Sequence, residues 1–99
     1  MGDRLEYPLQ LVLNGRALVR IIIDQHYKEK HSESINDELI IDLVKTLDGE
    51  SFPVESRKGE FEFFKVEPVI WDNKPYRVVL VLSIQDDFVG VINAFRVNL

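Results

Sequence analysis

Apolar positions fall into two short runs, one helical stripe and one long alternating block, with polar stretches between them. The first two runs, in LQLVLNGRALVRIII, flank Asn14-Gly15. That dipeptide suits a two-residue type I′ turn, which needs positive φ at both central positions, so the spacing predicts a hairpin. Its register sets Leu13 against Arg16, Leu11 against Leu18 and Leu9 against Arg20. Pro8 cannot donate to a ladder, which places the start of the first strand at about Leu9.

From Asp24 the pattern becomes polar, DQHYKEKHSES. Asp24 can cap a short helix reaching His31, with Tyr27 turned inward and His26 and Lys30 sharing a face at i,i+4. A longer helix follows, capped by Ser34 with Asp37 in capping-box spacing, or by Asn36 with Ile35 and Ile40 as a hydrophobic staple. Leu39, Ile40, Leu43, Val44 and Leu47 form its apolar stripe, and Gly49 stops it. Residues Asp48 to Gly59 combine turn formers, charge and Pro53, which predicts a loop with Phe52 or Val54 against the core.

The remaining block reads as a three-stranded meander: Phe61 to Trp71, interrupted by Pro68 at a bulge or edge, then Tyr76 to Gln85, then Phe88 to Val97. Tyr76, Val78, Leu80, Leu82 and Ile84 alternate onto one face, which is expected to pack on the helix. A two-residue turn at Asp86-Asp87 sets Val91 opposite Leu82, Asn93 opposite Leu80 and Phe95 opposite Val78. The expected fold is therefore α+β, one domain over residues 1–99: an N-terminal β-hairpin, then one short and one main α-helix packed on a mainly antiparallel sheet that ends in the meander.

Composition adds limits. A chain of 99 residues, 45% hydrophobic with ten aromatics, has room for one core. Seventeen acids against twelve bases give a net charge of -5, which disfavours general nucleic-acid binding. Cysteine is absent, so thiolate chemistry and disulfides drop out, and a reducing compartment is compatible. There is no signal-peptide pattern and no apolar run near the ~20 residues of a membrane helix. A soluble cytoplasmic protein without membrane contact is the expectation.

Candidate chemistry is sparse. The predicted meander register sets Arg77 directly across from Arg96, and two opposed cations repel unless something neutralises them. They form either an anion site or a pair answered by Glu67, Glu62 or another surface acid. Asn93, expected on the core face, needs a hydrogen bond there. His26 can serve as a general base or phosphate ligand, or simply be solvated. His26 and His31 are wrongly spaced for a metal site on one helical face, and no metal, cofactor, phosphate-loop or nucleophile-elbow motif occurs, so no cofactor is expected.

The strand leading into IIIDQHYKEKH, the capped helix, and the meander ending in GVINAFRV resemble the RelE/ParE-like superfamily, specifically its small bacterial domains of unknown function with an H-x-x-x-[KR] turn and a terminal strand like VITAYR. Active members of that superfamily cut messenger RNA or act on gyrase through basic and polar side chains on the sheet. Carried over by position, the resemblance implies His26, Lys30, Arg77 and Arg96 as catalytic residues, with RNA as substrate. Two functions follow. The first is a non-enzymatic module that binds a protein partner or itself, through a sheet edge or the acidic helix face. The alternative is a RelE-like toxin-type endoribonuclease or an inactive descendant of one.

Overall fold

The computed structural model describes residues 3–98. The strands are β1 (Arg4–Leu13), β2 (Arg16–Asp24), β3 (Ser56–Lys58), β4 (Phe61–Trp71), β5 (Lys74–Ser83) and β6 (Phe88–Arg96). They form one sheet in the order β1-β2-β6-β5-β4-β3. Every neighbouring pair is antiparallel except β2 and β6, which run parallel. Between β2 and β3 lie a 3-10 turn (Gln25–Tyr27), α1 (Lys28–His31) and α2 (Asp37–Lys45).

The expected α+β fold, with a main helix packed on the sheet, is overturned. Of the described residues 54% are in strands and 17% helical: a six-stranded mixed sheet with two short helices. Three local features extend the sheet beyond expectation. First, β1 begins at Arg4 rather than Leu9, because Pro8 does not interrupt it. Gln25 N donates to Asp3 O, which makes Asp3/Gln25 a hydrogen-bonded pair of the antiparallel ladder. Counting by two, Leu5 and Tyr7 also bond to β2, while Arg4, Glu6 and Pro8 turn their backbone groups to the free edge. Pro8 therefore costs the ladder no donor. Second, the predicted loop contains β3, which pairs with β4. Third, β2 lies beside β6, joining hairpin and meander into one layer.

The Asn14-Gly15 turn forms as expected, with φ of 53° and 74° and Leu13 opposite Arg16. A bulge between Pro8 and Leu11 shifts the far half, so Arg20 meets Pro8 and not Leu9. Asp72-Asn73 makes a second two-residue turn, also with both φ positive. Asp24 caps the 3-10 turn through His26 N, and Asn36 caps α2 through Leu39 N at 2.8 Å.

The core lies on one face of the sheet. Leu9, Leu11, Leu13, Ile23, Phe64, Val78, Leu80 and Leu82 meet Ile35, Ile40, Leu43 and Val44 from the helical segment, and Phe52 packs at its margin, stacked on Phe64. Tyr27 is buried there, as expected. Ile84 is not: it stands 59% exposed in the loop beyond β5. Among the described residues no helix is long and apolar enough to cross a membrane.

Candidate functional site

The meander register decides the fate of the arginine pair. Residues 84–87 form a four-residue loop between β5 and β6 where a two-residue turn was expected, so Leu82 pairs with Val89 rather than Val91. A bulge at Ile92 returns one residue, and Arg77 ends opposite Phe95 while Arg96 stands opposite Tyr76. Tyr76 faces the core, so Arg77 and Arg96 leave the sheet on opposite faces. Glu67 forms an ion pair with the Arg77 Nε, and the guanidinium lies 5.4 Å from the centre of the Phe95 ring. The hydrogen bond from Arg77 outweighs the effect of burial and, with the charges of Arg77 and Lys65, holds the Glu67 carboxyl below its usual range. The same bulge puts Asn93 opposite Val79 instead of Leu80; its Oδ1 accepts from Ala94 N.

His26 sits on the exposed side of the 3-10 turn, with Nδ1 2.7 Å from Glu29 Oε2. Lys30 is exposed on α1. His31, not His26, approaches the sheet, stacking on Phe95 at 5.1 Å. Of the four residues implied by the family resemblance, Arg77 and Arg96 point to opposite faces of the sheet.

Two polar clusters escaped the sequence reading. The Asp37 carboxylate accepts from the Tyr7 hydroxyl (2.6 Å), from the Tyr27 hydroxyl and from Gln25 Nε2. Burial alone would raise this carboxyl, but the hydrogen bonds from Tyr27, Tyr7 and Gln25, aided by Lys28, hold it below its usual range. Burial and the same bond push the Tyr27 hydroxyl well above its ordinary value. At the other end of the sheet, buried Glu62 of β4 is held by Arg16 from β2 and by Arg57 from β3 at 3.0 Å. Burial pushes Glu62 up; Arg57 and Arg16 outweigh it and lower its pKa. Each cluster ties distant strands or helices together, and each is internally satisfied apart from the buried Gln25 Oε1.

An open groove lies on the face away from the core. One transverse row crosses all six strands: Glu6, Ile22, Gly90, Val81, Phe63 and Ser56. Gly90 leaves its middle low. A Cβ there would meet Val81 Cγ1 at 2.5 Å, so the glycine lets Val81 lie across β6 as the floor of a groove. Phe61 and Phe63 wall one side, Phe88 and Ile92 the other, and Arg4 and Asp24 stand at the rim. The groove encloses about 400 Å³, within the range of small binding clefts. A sheet face turned to solvent is ordinarily polar, and the middle of this one is apolar. The sequence held a signal for it: β4 reads FEFF and β6 reads FVGVI, with apolar residues at both parities.

No family model matches the chain, and no curated protein or solved structure matches it either.

Proposed function

We propose that this protein is a non-enzymatic interaction module that takes up an apolar segment of a protein partner on the outer face of its sheet. The observation that carries this reading is the groove over Gly90 and Val81. Contiguous apolar surface on a folded domain marks binding sites, and aromatic walls around a low floor suit a bulky side chain as anchor. The two polar clusters support a structural role for the rest of the molecule, since their acids are already answered by tyrosines or arginines. The ribonuclease reading draws on Arg77 and Arg96 side by side, and these lie on opposite faces, with Arg77 occupied by Glu67.

Selection of a displayed random-peptide library on the 99-residue chain, with Phe63→Lys as counter-target, tests the proposal. Enriched peptides should carry a large apolar anchor and lose about tenfold or more in affinity for Phe63→Lys, the loss expected when a central anchor pocket is spoiled. Enrichment of peptides indifferent to Phe63, or of none, would overturn it.

A further inference from the structure

The two halves of the β1 edge are treated differently. At the turn end the outward groups of Val12 are occupied: its N–H donates to Asp48 Oδ1 at 2.7 Å, and its carbonyl accepts from Gly49 N at 2.7 Å. Towards Arg4, among the described residues the outward groups of Arg4 and Glu6 have no such cover, and these residues, with Leu5 between them, are exposed. Leu5 is 45% exposed although it pairs with Ile23, which is fully buried. An open stretch of edge is a template for another strand.

We infer that this stretch pairs with the same stretch of a second copy, antiparallel and centred on Leu5. The register follows from charge and from Pro8. Centring on Arg4 or on Glu6 sets like charges directly opposite, which destabilises a sheet pair. Centring on Tyr7 sets Glu6 against Pro8, which has no N–H to give. Centring on Leu5 sets Arg4 opposite Glu6 of the second copy, twice by symmetry, in hydrogen-bonded positions, and brings the two exposed leucines together. Arg4 makes no ion pair among the described residues, so its charge is free for this role. Glu6 contacts Arg20 at 3.2 Å, but Arg20 is shared with Asp86 and Asp87. Pro8 lies beyond the paired segment and stops the edge from extending further. The inference rests on the β1 edge and not on the groove, with which it shares only Arg4 at the rim.

Sedimentation equilibrium of the full chain tests it with a charge exchange. The wild type should show a monomer–dimer equilibrium. Glu6→Arg, which sets Arg4 against a second arginine at both symmetric contacts, should weaken it by about tenfold or more. Arg4→Glu combined with Glu6→Arg restores opposite charges and should regain most of the loss. Both variants lose the contact to Arg20 equally, so the recovery reports the contact between copies, and circular dichroism verifies that each is folded. Amide exchange at Arg4 and Glu6 should slow as the wild-type concentration rises. A wild type that stays monomeric to about millimolar, an unchanged dimer in Glu6→Arg, or no recovery in the double variant would overturn the inference.

Discussion

Asp37 is a structural acceptor: its carboxylate takes two tyrosine hydroxyls, one of them on a buried residue. Replacing it by alanine strands the Tyr27 hydroxyl, and an unsatisfied buried donor costs roughly 1–3 kcal/mol. Urea denaturation at neutral pH should show a loss of that size. The sign of the pH dependence follows from the lowered carboxyl. A carboxyl depressed in the folded state stabilises it above the unfolded value of ~3.9, and that stability is lost as pH falls through the folded value. The wild type should therefore weaken on acidification below about pH 4, and Asp37→Asn should show a shallower slope in the same titration, with Glu62 and Glu67 supplying the remainder. At Gly90 the argument is steric. Gly90→Ala drives a methyl into Val81 and should cost about 1–3 kcal/mol as overpacking does, and Val81→Ala in the same chain should recover part of it by making room. The melting temperatures of the two variants decide this.

Local signals in the sequence are decisive where chemistry within a few residues sets the outcome. Asn14-Gly15, the Asp24 cap and the start of α2 are set by the left-handed conformation and by side-chain acceptors for exposed amides. For α2 two caps were open, and Asn36 supplies the bond. Asn36→Ala should cost ~0.5–2 kcal/mol, measurable by chemical denaturation. What failed was pairing at a distance. Loop length between β5 and β6 and the bulge at Ile92 each moved the register by whole residues, and a register error relocates every side chain it touches, which is why the arginine pair dissolved. Pro8 misled for a related reason: whether a proline interrupts a strand depends on which edge its nitrogen faces, and the sequence around Pro8 is silent on the neighbour. The amphipathic stripe of α2 is a clear local signal, yet the helix itself spans only Asp37–Lys45. Six strands, several of them apolar at both parities, make the larger structure. The groove was legible only as that excess of apolar residues in β4 and β6.

For the molecule as a whole, the sheet consists of two antiparallel units, the β1–β2 hairpin and the β3–β6 block, joined along one parallel seam where Arg20 to Ile23 meets Phe88 to Val91. The strands of that seam are separated by nearly the whole helical region and meander. Parallel pairing at such separation pays loop-closure entropy before it gains any contact, so it belongs late in folding. Hairpin and meander can each assemble from neighbours in sequence, and the seam then fuses them. Substitutions at the seam, such as Ile23→Ala, should therefore speed unfolding far more than they slow refolding, while Leu80→Ala inside the meander should slow refolding as well; stopped-flow chevrons for the two variants provide the comparison. Gly90 lies within that seam. Its contact with Val81 belongs to the meander, as do the aromatic walls, so a chain arrested short of native would carry the floor and walls of the groove but lack Ile22, Asp24 and Arg4, which close it from the hairpin.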